Sequence, residues 1–308
     1  MNPTYTDILT SIGNQLKLRK KYLFLRTLMI VWPFLLLAGG MLVARRFYTE
    51  DVLQDMFVTL PYVFYIWGYI IVAAVYSAVV SFIFNIEKRI WIDSFFDKRD
   101  LTPAQSWNIA KKLFWPAIGF RIRLFIRYYL LPFVLLLVVI AGSCVFMVKN
   151  EHIFLTPIGI VVGSLIAYAI YTYYLNLRLR FSWFVFLDSY TGQSKEIDII
   201  FQDMEKLHAI TTGDNFVKAI VVDLGAASIE AVINTAVGLV SLATNMTTGG
   251  SSRGILGIIQ IFTKELARQI RSYAQIAGFY LLYMVARKEL HGQEQHVNEY
   301  VYGLGDGK

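Results

Sequence analysis

The sequence predicts an all-α fold: a polytopic membrane protein with six transmembrane helices arranged as three hairpins, with amphipathic helices on the inner surface. Three observations predict it. The first is composition. Hydrophobic residues make up 56% of the 308 and charged residues 17%, whereas soluble domains carry roughly 45–50% and 25%. The second is the stretch 128–175, where two apolar runs (128–148 and 153–175) are joined only by Lys149, Asn150, Glu151 and His152. Each run is close to the ~20 residues a helix needs to cross a bilayer core. In lipid the backbone must satisfy its own hydrogen bonds, so each run is expected to be a helix. So short a link makes the two antiparallel neighbours. The third observation is charge placement. Of the 29 Lys and Arg, 21 fall on one side of the expected spans, counting Arg26 near the start of the first and Arg287 and Lys288 at the end of the last, against Arg45, Arg46, Lys149 and Arg253 on the other. The positive-inside rule then sets both termini on the cytoplasmic side of the cell inner membrane.

The net charge of +7 belongs to that topology, with basic segments held near anionic lipids. The basic residues are spread along the segments between spans and form no compact basic domain, which argues against nucleic acid as a partner. Membrane lipids are the expected one. The single cysteine, Cys144, lies in an apolar run. It has no second cysteine for an internal disulfide and reads as an inert packing residue.

The chain reads as one transmembrane domain over 1–308, taken here in order. Segment 1–21 is a surface helix. Thr4 and Asp7 have capping-box spacing, and Tyr5, Ile8, Leu9, Ile12 and Leu16 share a face. Lys17, Arg19, Lys20 and Lys21 follow. An apolar face with a basic end suits a helix on the inner leaflet, or one packed on another cytoplasmic part of the protein. The first hairpin, 22–84, holds a span at 22–43 with Pro33 inside it, then a long span at 57–84 that must tilt or project. A cleaved signal peptide competes for the first run; its length, the long segment before it and the lack of an A-x-A site speak against that.

Segment 85–127 carries nine Lys or Arg against four acids. Inside it Thr102, Pro103 and Gln105 read as N-cap, N1 and N3 of a helix, after which Trp107, Ala110 and Phe114 share a face. Lys111, Lys112, Arg121 and Arg123 join Lys17, Arg19, Lys20 and Lys21 as expected lipid contacts of the inner surface. The second hairpin is 128–175. In segment 176–215, Ile197, Ile200, Phe201, Met204 and Leu207 follow i, i+3, i+4, i+7, an amphipathic helix, which 211–215 breaks. The third hairpin, 216–290, is apolar but charged. The tail, 291–308, repeats the helical spacing at Val297, Tyr300, Val301 and Leu304.

Two inner segments begin alike: Ile92, Asp93, Ser94, Phe95 answer Leu187, Asp188, Ser189, Tyr190. Residues 286–292 give a weaker third copy. The pattern is three hairpins, each followed by an inner-surface helix. The stretch 180–188 (RFSWFVFLD), the turn 211–216 (TTGDNF) and the ending 283–292 (YMVARKELHG) resemble a loose group of prokaryotic multi-pass membrane proteins. That group includes the membrane domain fused to some bacterial glycerophosphodiester phosphodiesterases. The resemblance covers roughly 60–304 and implies a helical membrane fold without phosphodiesterase activity.

Candidate chemistry is sparse. His291 and His296 stand five apart beside Glu294 and Glu299, a possible metal half-site, but they lie in a polar tail without H-E-x-x-H or a second ligand pair. The Gly-rich 303–307 has no strand before it, so it is no phosphate loop, and no nucleophile elbow is present. Asp93 and Asp188 read as helix caps or turn starters. No cofactor or metal is expected, and no enzymatic activity.

The sharper signal is in the last hairpin. Ionisable residues inside a membrane are costly, by ~2.5–3.5 kcal/mol on insertion scales, and usually face a bundle interior or a cavity. Asp223 and Glu230 are seven apart on one helical face. Lys264, Arg268 and Arg271 share another. Folding near Gly250 sets Glu230 opposite Arg268 or Arg271. Three readings stay open: an ion or proton pathway, an internal neutralising pair, or a hairpin partly above the membrane. The leading expectation is a scaffold or subunit of a membrane assembly, as a homo-oligomer or within a complex. The alternative is a channel or transporter that uses Asp223, Glu230, Arg268 and Arg271.

Overall fold

A computed structural model describes residues 5–47, 60–96, 101–149, 155–192, 197–210, 214–248 and 253–302. Every regular element among them is an α-helix. The expected surface helix and first span form a single helix, α1, Tyr5–Phe47. At 43 residues it is ~65 Å long at 1.5 Å per residue. No glycine or proline lies between its polar first part and its apolar second part except Gly13, so the backbone has no reason to stop. The expected Thr4 cap lies outside the described residues.

Helix α2, Leu60–Phe96, also outruns its expected end at residue 84. The twelve residues after Phe84 continue it, because Phe84, Ile86, Ile90, Trp91 and Ile92 are all buried and keep the helical apolar frame going. The inner segment therefore begins as a helix and not as a linker. Next come α3, Pro103–Lys112, and α4, Phe114–Tyr128. The start of α3 is a reciprocal capping box. The Thr102 amide donates to Gln105 Oε1 at 3.0 Å, and the Gln105 amide donates to Thr102 Oγ1 at 3.4 Å.

The central hairpin is α5, Leu130–Lys149, and α6, Leu155–Arg178, which pack along each other. Tight turns at 179–181 lead into α7, Ser182–Gly192; α8, Ile197–Ile210, follows. The last two helices are α9, Asp214–Thr248, and α10, Arg253–Tyr302. No separate tail helix forms: α10 carries straight through His291 and His296, whose side chains lie outside the described part.

Among the described residues, four stretches are long and apolar enough to cross a membrane: Arg19–Val43, Phe64–Phe95, Leu130–Met147 and Thr156–Ser189. They belong to α1, α2, α5 and α6, the last running on into α7. The most apolar windows of the last two are only 6% buried, against 28% in the first two. Leu130–Met147 is the most apolar of the four and among the least covered, which is the pattern lipid contact demands. Cys144, expected to be packed, is exposed on α5.

The chain gathers into two compact units, each discontinuous in sequence: Met1–Lys112 with Val221–Leu281, and Leu113–Ile220 with Leu282–Lys308. In the first, Pro33 removes one rung of the α1 hydrogen-bond ladder. Two hydroxyls of α2 bind carbonyls beside that gap: Ser77 donates to Ile30 at 2.6 Å and Tyr69 to Pro33 at 2.7 Å. Lower down, Gly278 of α10 faces Val222 of α9, and a methyl group built at Gly278 would lie 2.5 Å from Val222 Cγ1. Only glycine permits that approach.

The core of the second unit is aromatic. Phe120 of α4 is fully buried. It stacks on Phe186 at 4.8 Å and on Phe201 at 6.0 Å, and meets the edge of Trp183 at 5.8 Å. The expected apolar face of α8 is buried at Ile200, Phe201, Met204 and Leu207. That face docks on protein, and Arg127 with Tyr128 closes over it by bonding Glu205 at 3.0 and 3.4 Å.

Candidate functional site

The charged residues of the first unit converge where the C-terminal end of α2 packs. Glu87 and Lys88 are neighbours in sequence and both fully buried. Successive helical residues point about 100° apart, so the two charges leave α2 in different directions. Each meets its own set of partners.

Glu87 is held by Arg26 of α1. Both Nε and Nη2 of the guanidinium donate to the carboxylate, each at 3.0 Å. This is the bidentate fork that makes arginine–carboxylate pairs directional. The Ser106 hydroxyl of α3 donates to Glu87 at 3.1 Å and accepts from the Trp91 indole at 2.6 Å. Aromatic faces shield the arginines: Arg26 lies 4.0 Å over Trp107 and Arg19 lies 5.4 Å over Trp91. Arg19, expected to contact lipid, is thus partly covered by protein.

Lys88 turns toward α10. Its Nζ donates to Gln269 Oε1 at 2.9 Å and to Ser272 Oγ at 2.7 Å, and lies 5.0 Å over the Phe84 ring. Gln269 passes the interaction on, its amide donating to Glu265 at 2.5 Å; Ser272 donates to Asn85 at 3.2 Å. Among the described residues no carboxylate touches Lys88 directly. The nearest relay to a negative charge runs through the Gln269 amide.

The four residues expected to matter in the last hairpin fall as follows. Glu230 accepts from Arg271 at 2.8 Å. Asp223 is buried and accepts from the Gln275 amide at 2.7 Å. Arg268 is 69% exposed and sits 3.6 Å from Glu265, three residues earlier on its own helix. So Glu230 finds Arg271, and Arg268 belongs to a different pair. Lys17, Lys20, Lys21, Lys111, Lys112, Arg121 and Arg123 are exposed.

The aspartates of the internal repeat are neither caps nor turn starters. Asp93 lies in the last turns of α2 and accepts from the Tyr280 hydroxyl at 2.7 Å. Asp188 lies inside α7 and accepts from the Tyr283 hydroxyl at 2.5 Å, with Arg287 at 2.8 Å. Each aspartate is followed by a buried serine that bonds back to its own helix, Ser94 to Trp91 and Ser189 to Val185. The Asp-Ser pattern therefore has one structural meaning in both copies.

Sequence reading missed Glu87, Lys88 and Arg26. A signal was present: charged residues interleaved with Phe84, Ile86, Ile90 and Trp91 at helical spacing mark a buried helix face. Among the described residues no group of three His, Cys, Asp or Glu comes together as a metal site.

Fold and site together define an all-helical membrane protein with a buried charge network. Compared with protein-family models, curated proteins and solved structures, the chain matches none.

Proposed function

We propose that this chain is a six-span membrane protein with both termini cytoplasmic, acting as a non-enzymatic scaffold or subunit of a membrane assembly. In this reading α9 and α10 supply the fifth and sixth spans. The assembly is a homo-oligomer or a complex with other membrane chains, bathed in lipid through α5 and α6. The likeness to the membrane domain of glycerophosphodiester phosphodiesterase fusions is taken as a likeness of fold.

The observation that carries the reading is the pairing of the mid-helix charges. Glu230 is matched by Arg271 and Asp223 by Gln275, so these groups hold α9 to α10. A group lining an aqueous pathway faces a water-filled cavity. The alternative, a channel or transporter, draws on the exposed Lys264 and Arg268 of α10, which lie on the same helix as the Lys88 relay.

Two experiments test the reading. Cysteines placed at Lys149 and Gly250, in a Cys144→Ser background, should react with an impermeant thiol reagent added outside. Cysteines at Lys111 and Glu196 should not; the reverse pattern contradicts the topology. For the assembly, cross-linking in intact membranes should yield discrete higher-mass species containing this chain. A monomer alone at every reagent dose contradicts the scaffold role.

A further inference from the structure

Arg180 stands in the turn between α6 and α7. Its side chain is buried, with 6% of its surface exposed. The Nη1 group donates to the Leu177 carbonyl at 2.7 Å, and the guanidinium lies 4.5 Å over the Phe181 ring. The remaining two groups, Nε and Nη2, are buried and have no hydrogen-bond partner among the described residues. These are the two that point along one edge of the guanidinium, as a parallel pair of N–H donors. In the other unit Arg26 uses that same edge, Nε and Nη2, to grip both oxygens of Glu87. Arg180 has the same fork, and no acceptor among the described residues meets it.

A buried guanidinium with an unused fork is expensive, because its charge and two donors have lost water without replacement. Two carboxylates of the same unit are committed elsewhere. Asp188 takes Tyr283 and Arg287, and Glu205 takes Arg127 and Tyr128. The fork fits a planar pair of anionic oxygens, the geometry of a carboxylate or of two oxygens of a phosphate. Its place at the end of an apolar helix favours the phosphate of a lipid. The stretch Thr156–Ser189 carries no charge before Arg178 and Arg180, so in this reading the span ends near Tyr173 and Tyr174, which are 42% and 43% exposed and roughly two turns before Arg180. Exposed tyrosines at the end of a span mark the membrane–water interface, and the phospholipid phosphates lie just beyond it.

We propose that Arg180 is the anchor of a phospholipid site, holding two phosphate oxygens of an anionic lipid through Nε and Nη2 where α6 meets α7. The inference rests on α6 as a membrane span. Its failure leaves the scaffold reading intact, since that reading is tested separately at Glu230 and Arg271.

The test uses the full chain, purified and delipidated in a non-ionic detergent. Its thermal midpoint is read with added phosphatidylglycerol, with phosphatidylcholine, and with inorganic phosphate. Phosphatidylglycerol at saturating level should raise the midpoint by about 5 °C, with a smaller rise from phosphatidylcholine and none from inorganic phosphate. Arg180→Gln should lose most of that rise. If that variant does not fold, Arg180→Lys keeps the charge but not the fork, and should retain less than half of it. No rise in the native chain, or an undiminished rise in either variant, overturns the proposal. An Arg180-dependent rise with inorganic phosphate as large as that with lipid overturns the lipid as the source.

Discussion

Arg26 and Glu87 lie 61 residues apart in sequence, yet both nitrogens of the guanidinium edge meet the carboxylate at 3.0 Å, and the Glu87 side chain is fully buried. The pair ties α1 to α2, and Ser106 brings α3 onto the same carboxylate. Removing one partner leaves the other charge buried without its match. Breaking such a pair costs ~3–5 kcal/mol. Glu87→Gln and Arg26→Met should each lower stability on that scale in thermal or denaturant unfolding in detergent. The double variant Arg26→Met with Glu87→Leu should recover much of the loss. Additive losses in the double variant would show that the two residues act independently.

A second prediction concerns the close approach of α9 and α10. Gly278→Ala forces a methyl group against Val222, whose stiff branched side chain has little room to turn. Overpacking of this kind costs ~1–3 kcal/mol. Val222→Ala in the same chain should relieve it, so the double variant should be more stable than Gly278→Ala alone. An unaltered unfolding midpoint in Gly278→Ala would mean that the helices are free to move apart.

The third prediction concerns α8. Ile200 and Phe201 are buried, Phe201 against Phe120, so replacing both with Asp inserts charge into an aromatic core. The segment should come free and be cut by protease within 197–210, while α5 and α6 stay protected. Unchanged cleavage would mean that α8 is held by something other than this face, such as the Arg127–Glu205 pair.

These residues also show how far sequence alone reaches. The two packed helices at 130–149 and 155–178 were legible because two long apolar runs stand either side of a four-residue polar link. The capping box at Thr102 and the apolar face of α8 were legible because both are local patterns. Counting along a hairpin brought Glu230 opposite Arg268 or Arg271 and did not choose between them. Glu87 and Lys88 were not legible as a site, because counting charge made 85–127 a polar segment. The apolar residues that bury them alternate with the charges themselves. Their partners lie on other helices, and Lys88 meets Gln269 181 residues later. The two Asp-Ser motifs were visible as a repeat, but the tyrosines that serve them come from α10, which carries no matching signal. Arg180 was read only as part of a motif, since an unused hydrogen-bonding edge exists only in three dimensions.

The claim that organises the account is that the charged hairpin is a lock and not a pathway, and a double-mutant cycle at Glu230 and Arg271 tests it most directly. Glu230→Gln, Arg271→Gln and the pair are scored for thermal stability in detergent and for ion flux in reconstituted vesicles, with Arg268→Gln as a control on the same helix. The account predicts a coupling above ~1 kcal/mol between Glu230 and Arg271, little coupling between Glu230 and Arg268, and flux at background in every variant. Negligible coupling together with flux that changes when Glu230 or Arg271 is neutralised would contradict the scaffold and establish the transporter.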